Sequence, residues 1–267
     1  MRRVLLALVT IILFVGSAMA AEPDVPTIVK KMKQGLQGPE NAVRLLTMKV
    51  NSSNGGTAVE WKMAQANGTA NGARWILTVV LDPQGAKGMA FLDRQKAHQT
   101  STMKYIYLPA TKRVMQYNPV QGYDSFFATD FTYQDLGFVA LGGGGEKLVG
   151  TETHEGKQVY KLEDHPINSP YYSKVVSYVL TDSMLPLERD FYDRAGRLFK
   201  TERCTVENVD GLPTITKIVM DNANSGGSSE IDVTKVIRDK QPPTDLFDPA
   251  HLSKVADHPF WKSVTQS

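Results

Sequence analysis

The chain has 267 residues, and its 30 lysines and arginines nearly balance its 28 aspartates and glutamates, giving a formal net charge of +2. This near-neutrality, without any run of basic residues, argues against nucleic-acid binding. With a single cysteine, Cys204, the chain cannot form an internal disulfide. We expect this thiol to be buried, because it lies in a strand-like run.

The first twenty residues predict a signal peptide. Two arginines are followed by an apolar run over residues 4–15, and Ala18 and Ala20 give the small-residue pattern that signal peptidase recognises. The run is short for a membrane span, which makes an uncleaved anchor the weaker alternative. We expect cleavage after Ala20 and export to the periplasm. Because no cysteine follows the cleavage site, we expect no lipid anchor.

A short amphipathic helix is predicted next. Its apolar residues recur at helical spacing, and Gly38-Pro39 ends it. The residues on its apolar face are Val25, Ile28, Val29, Met32 and Leu36.

Most of the remaining chain alternates apolar and polar residues with period two. Turn signals such as Asn54-Gly55-Gly56, Asn67-Gly68, Asn71-Gly72 and Asp210-Gly211 divide it into segments of about ten residues. This pattern predicts a mainly β protein with a single antiparallel sheet of about ten or eleven strands that curls or closes. No linker divides the chain, so we expect residues 21–267 to form one domain.

The sequence DSFFATDFTYQDLGFVALGGGGEK, residues 124–147, breaks this rhythm and combines clustered aromatic residues with four consecutive glycines, residues 142–145. Three interpretations are open: ordinary core packing, an exposed partner-binding patch, or a partly helical lid on a glycine hinge. The lid hypothesis has a further argument, because the concave face of a curled sheet with apolar inward residues needs a cover. It predicts a ligand-binding set of Trp61, Met63, Trp75, Leu77, Phe91, Tyr107, Phe126, Phe127, Phe131, Tyr133 and Leu136.

Catalytic and cofactor motifs are not recognisable. None of the five histidines has metal-ligand spacing, and His154 lies at a predicted polar turn. No serine lies in a G-x-S-x-G elbow, and LGGGGEK lacks the end of a phosphate-binding loop. We therefore expect neither an enzyme nor a bound metal or cofactor.

Two stretches carry a resemblance to a known family. YIYLPATKRVMQY and DSFFATDFTYQDL, both within residues 105–136, are followed later by DSMLPLER at 182–189 and DLFD at 245–248. Together with the strand order, they make the chain similar to the outer-membrane lipoprotein-sorting protein family, the LolA-like proteins.

The resemblance implies an unclosed half-barrel whose open side is plugged by helices. It implies a periplasmic carrier that takes acyl chains of lipoproteins, or another lipid, toward the outer membrane as a monomer. An inner-membrane lipid exporter of the resistance-nodulation-division type and an outer-membrane acceptor are the implied partners. In the best-known carriers an arginine on a barrel strand holds the lid closed, and Arg44 and Arg74 are the strand candidates here.

Two other functions stay open at this point. The same fold can serve as a periplasmic binding or sensing module that takes a lipid or a partner peptide in signalling. An exported hydrolase would need a nucleophile and a base in a polar site, which the sequence does not display.

Overall fold

A computed structural model describes residues 23–54, 56–70, 72–95, 102–117, 123–136, 145–166 and 169–266. The predicted signal peptide, residues 1–20, and residues 142–144 of the predicted glycine hinge lie outside these ranges. Within them, thirteen strands form one antiparallel sheet with the order β6-β5-β4-β3-β2-β1-β13-β12-β11-β10-β9-β8-β7. The strands are Ala42–Asn51 (β1), Thr57–Ala70 (β2), Ala73–Asp82 (β3), Ala90–Gln95 (β4), Thr102–Leu108 (β5), Arg113–Tyr117 (β6), Lys147–His154 (β7), Lys157–Asp164 (β8), Tyr172–Leu180 (β9), Pro186–Asp193 (β10), Leu198–Val209 (β11), Leu212–Asn222 (β12) and Gly227–Ile237 (β13).

The prediction of a mainly β protein with one unclosed antiparallel sheet and an N-terminal helix is confirmed. The number of strands is higher than the ten or eleven expected. One of the additional strands is β6, a five-residue strand that precedes the aromatic stretch. The two edges of the sheet, β6 and β7, are consecutive in the chain, so the aromatic stretch connects one edge to the other.

Helix α1, Val25–Gln37, begins at Asp24, whose carboxylate accepts a hydrogen bond from the backbone N–H of Thr27 at 2.9 Å. It ends at Gly38, where φ is 83° and a side chain would collide with the guanidinium of Arg44. The predicted face of the helix is the buried one, since Ile28, Met32 and Leu36 are at most 4% exposed.

The sheet is covered on both faces. One face, called here the inner face, packs against Leu36 of α1 and against residues 126–136. The other, the outer face, packs against the C-terminal chain, which forms 3-10 turns at Thr244–Phe247 and Pro249–Asp257 and the helix α2 at Pro259–Thr265. Double coverage explains why several strands are apolar on both sides.

The predicted turn at Asn67-Gly68 is wrong. Strand β2 continues through both residues to Ala70. Gly68 serves a different purpose, because the ring of Phe247 lies where a side chain would stand: a Cβ atom there would be 2.7 Å from the ring. The glycine therefore lets the C-terminal chain approach the outer face closely.

Candidate functional site

The aromatic segment, defined as residues 123–136, is a compact loop. It contains a 3-10 turn at Phe126–Ala128 and an isolated bridge between Ser125 and Thr132. The backbone N–H of Phe126 donates to the carbonyl of Phe131 at 2.7 Å, which closes the loop. Five of its large apolar side chains are at most 5% exposed: Phe126, Phe127, Phe131, Tyr133 and Leu136.

The rings of this segment lie directly on the inner face. The ring of Phe91 on β4 is centred 4.7 Å from that of Tyr133 and 6.4 Å from that of Phe126. Trp61 on β2 meets Phe127 edge to face at 6.3 Å. The segment therefore covers the sheet with ring contacts of ordinary aromatic geometry.

Eight of the eleven residues predicted to bind ligand lie together in the inner cluster: Trp61, Met63, Phe91, Phe126, Phe127, Phe131, Tyr133 and Leu136. Trp75, Leu77 and Tyr107 belong to the outer cluster, and the ring of Trp75 lies 5.5 Å from that of Phe247. The expectation that these three share the inner face is wrong.

The error on β3 has a simple physical cause. Successive residues of a strand point to opposite faces of the sheet. The paired residues Met63 of β2 and Val80 of β3 lie on the inner face, and the paired residues Ala66 and Leu77 lie on the outer face. Because β3 is apolar on both faces, its alternation does not reveal which set faces inward. Ile76 and Val80 of β3, and Ile106 of β5, take the inner positions.

The interior beneath the aromatic segment is almost filled. A cavity of about 20 Å³ remains between Met48, Met63, Phe126, Leu136 and Ile231. That is room for about one water molecule and not for an acyl chain. Among the described residues, the packing under this segment matches the core-packing interpretation, and the open cavity expected beneath a lid is absent. The aromatic segment is therefore also called the plug below, because a ligand could reach the inner face only by displacing it.

Polar contacts hold the middle and the C-terminal end of the plug, at Asp130 and Asp135. At Asp130, one carboxylate oxygen accepts from the hydroxyl of Ser229 at 2.7 Å and the other from the side-chain amide of Asn222 at 2.8 Å. The backbone N–H of Asp130 donates to the same serine at 2.9 Å. Asp130 is therefore tied to β12 and β13.

Asp135 is the second anchor, and its side chain is fully buried. Its carboxylate lies 2.8 Å from the ammonium of Lys200 and accepts from the hydroxyl of Tyr172 at 3.0 Å. Burial and the neighbouring Asp135 raise the pKa of Tyr172 well above its usual range, so the hydroxyl stays a donor. Lys200 also donates to the carbonyl of Asp130 at 2.9 Å.

Arg189 completes this group of contacts. Its guanidinium makes a two-point ion pair with Glu202, with N–O distances of 2.8 and 2.6 Å, and it donates a further hydrogen bond to the carbonyl of Asp135. All of this side chain is buried. Burial alone would lower the pKa of Arg189, but Glu202 outweighs that effect and the pKa lies above the usual value.

The arginine that contacts the plug is therefore neither of the two candidates from the sequence. Arg44 donates to the carbonyl of Leu36 at 3.0 Å and Arg74 to the side chain of Gln37, so both contact the last turn of α1. A usable signal did exist for part of this site. Lys200 and Glu202 stand four and two residues before Cys204, whose predicted burial is confirmed, and so share its inward face.

His154, Glu155 and Glu188 form a small cluster of metal-ligating residue types, and each places one ligand atom within 4.8 Å of the others. The ring of His154 stacks on Tyr178, and its Nε2 lies 3.1 Å from Glu188, whose other oxygen pairs with Arg203 at 3.2 Å. Two of the three residues, His154 and Glu188, are thus engaged by neighbouring side chains, and Glu155 is exposed.

Among the described helices, none is long and apolar enough to cross a membrane.

Comparisons with known proteins support the fold. A family model with the description "Uncharacterized protein" matches residues 72–254. No curated protein matches the chain.

Three solved structures resemble the chain over most of its length. A domain described as an outer membrane lipoprotein-sorting protein from Vibrio parahaemolyticus has a TM-score of 0.71 at 22% identity, covering 85% of this chain and 97% of that one. A DUF1329 family protein from Desulfovibrio piger has 0.69 at 22%, covering 85% and 96%. A LolA superfamily protein from Nitrosomonas europaea has 0.60 at 19%, covering 84% and 96%.

Proposed function

The chain belongs to the family of uncharacterized proteins whose model matches residues 72–254, and the chain has the LolA-like fold. On this premise, we propose that it is a periplasmic lipid carrier. It binds acyl chains of lipoproteins or of another lipid in the space that the aromatic segment fills when no ligand is bound. It acts without catalysis, as a monomer that its signal peptide directs to the periplasm and that is cleaved after Ala20. An inner-membrane lipid exporter of the resistance-nodulation-division type loads it, and an outer-membrane acceptor unloads it.

One observation carries the proposal. The apolar inner face is closed by five side chains from a segment that joins the two edge strands, rather than by side chains of the sheet alone. The eight predicted residues of the inner cluster line the proposed site. Removing such a segment would expose a continuous apolar surface, which is the feature that an acyl chain needs.

The energies of binding and displacement are of similar size. Burying an acyl chain gains about 0.8 kcal/mol per CH2 group, or roughly 10 kcal/mol for a chain of about fourteen carbons. Exposing the plug costs about 1.5 to 3 kcal/mol for each large apolar side chain that it withdraws. The plug therefore offsets much of the gain, so binding stays reversible, as a carrier requires.

A disulfide that fixes the plug tests the proposal. Asp130 and Ser229 touch through both side chain and backbone, so the double variant Asp130→Cys/Ser229→Cys can cross-link the segment to β13. We expect the oxidised variant to lose binding of a fluorescent fatty acid, dansyl-undecanoic acid, in a titration. The reduced form of the same variant should bind it.

The reduced protein is the matched control, because it has the same sequence and differs only in the cross-link. Equal binding by the oxidised and reduced forms would show that the plug need not move, and the proposed site would be wrong. Mass spectrometry of protein purified from the periplasm adds an independent check, since a carrier should retain acyl species.

A further inference from the structure

We propose that the ligand has a negatively charged head group, and that this group takes the place of the Asp135 carboxylate beside Lys200 and Arg189. The inference rests on the proposed carrier function and narrows its ligand to anionic amphiphiles with a carboxylate or a phosphate head.

The charges of the plugged state are balanced. Arg189, Lys200, Glu202 and Asp135 are at most 3% exposed in their side chains, and they form two ion pairs. Three of these groups belong to β10 and β11, whereas Asp135 belongs to the aromatic segment. When the segment leaves, the strands keep two cations and one anion.

An unpaired charge on the inner face is costly, since a buried ion without a partner loses its hydration without compensation. Asp164 and Glu146 line a small cavity together with Arg189. Among the described residues, however, neither carboxylate forms an ion pair with Arg189 or Lys200. A neutral ligand would therefore leave one positive charge uncompensated, and an anionic ligand would restore the balance.

The hydrogen-bond donors at this place also match an anion. The Nη1 atom of Arg189 is buried and has no hydrogen-bond partner among the described residues. Departure of the segment would free its Nη2 atom, the ammonium of Lys200 and the hydroxyl of Tyr172 from their contacts with Asp135. Several convergent donors suit a group with two or three oxygen acceptors.

Besides its contacts with the plug, the ammonium of Lys200 has neighbours on the sheet that stay when the plug leaves. The ammonium of Lys200 lies 5.3 to 5.6 Å from the ring centroids of Tyr172, Phe191 and Phe199, all on strands of the sheet. Tyr172 and Phe191 belong to the same inner cluster as Phe126 and Leu136. A head group at Lys200 can thus be continuous with an acyl chain in the place of the rings.

Ligands with the same alkyl chain and different heads test the inference. Laurate, dodecyl phosphate and dodecanol would be titrated against the mature protein by displacement of N-phenyl-1-naphthylamine, an uncharged fluorescent probe. At least one anion should bind about tenfold or more tightly than the alcohol, and the tighter anion identifies the head group. Equal binding of all three would overturn this inference and leave the carrier function standing. Binding of none would contradict the carrier function itself.

Substitution of the lysine locates the head group. Lys200→Met should lower the anion-to-alcohol preference by about tenfold, and Lys217→Met on β12, whose lysine is partly exposed, should leave it unchanged. Lys200→Met alone leaves the carboxylate of Asp135 buried without its cation. The double variant Lys200→Met/Asp135→Asn removes both charges of this pair, so it provides the same test if the single variant does not fold. An unchanged preference in the folded variant would place the head group elsewhere.

Discussion

Arg189 and Glu202 are cross-strand neighbours on β10 and β11, and their ion pair is fully buried. Such a pair gains little net stability, because desolvation offsets much of the attraction. Its clearest consequence is positional, because the same guanidinium holds the carbonyl of Asp135 and so orients one end of the aromatic segment.

Breaking this pair should be far more costly than breaking an exposed one. Arg189→Met leaves Glu202 buried without a partner, and we expect a loss of about 3 to 5 kcal/mol in the free energy of unfolding. Arg203→Met removes a half-exposed arginine from its contacts with Glu188 and Asp221 and should cost less than about 1 kcal/mol. Urea unfolding measures both, and equal losses would contradict the assigned role of Arg189.

Asp164 gives a pH-dependent prediction. Burial and the neighbouring Glu146 raise the pKa of Asp164 from 3.8 to about 6. The folded state therefore holds the proton more tightly than the unfolded state, and this contribution to stability is lost as the pH rises from about 4 to 6. Asp164→Asn should stabilise the protein above pH 6 by about 1 to 2 kcal/mol, less than the full pKa shift implies, because nearby solvent screens the charge.

Thermal or urea unfolding at several pH values checks this sign. The variant and the wild type should become equally stable below about pH 4, where the wild-type carboxyl is protonated in both states. A stabilisation that does not change with pH would refute the assignment.

Among the elements of the fold, the C-terminal chain is the one whose packing could not be predicted from the periodicity of the sequence. Its apolar residues are visible in the sequence, but nothing there specifies that they cover the outer face. Two features mark this packing, Gly68 within β2 and the doubly apolar β3. An Asn-Gly pair such as Asn67-Gly68 is more often typical of a turn, and an apolar residue on a strand such as β3 is more often typical of the inner face. The sequence therefore favoured a turn and an inward face, and both predictions were wrong at these positions.

Phe247 should therefore be a major stabilising residue of the outer face. Its ring contacts Gly68 and Trp75, and it is 2% exposed. Phe247→Ala should lower the free energy of unfolding by about 3 to 5 kcal/mol. Phe260→Ala, at a partly buried position of the same chain segment, is the control and should cost clearly less; a Phe247 variant as stable as the control would argue against this packing.

On the scale of the whole molecule, composition and period two were sufficient to predict one antiparallel sheet, the N-terminal helix and a distinct aromatic segment. Of the eight predicted residues on the inner face, Trp61 and Met63 lie on β2, where apolar and polar residues alternate, and five lie in the aromatic segment. Phe91 lies on β4, which is apolar on both faces, and the binding role of all eight stays a prediction. Arg189 could not be found in this way, because its partners lie 13 and 54 residues away in the chain and meet it only in the folded sheet. The filling of the interior could not be predicted from the sequence either. Periodicity indicates which strand faces are apolar, but it does not indicate which side chains occupy the space over the inner face.

The central claim is that the aromatic segment fills the ligand site and leaves it when an acyl chain binds. Amide hydrogen exchange of residues 123–136, measured with and without saturating laurate, tests this most directly. We predict faster exchange in this segment when laurate is bound, because the bond from Phe126 to Phe131 and the contacts of Asp135 are released. Unchanged or slower exchange there, in protein shown to have bound laurate, would contradict the account.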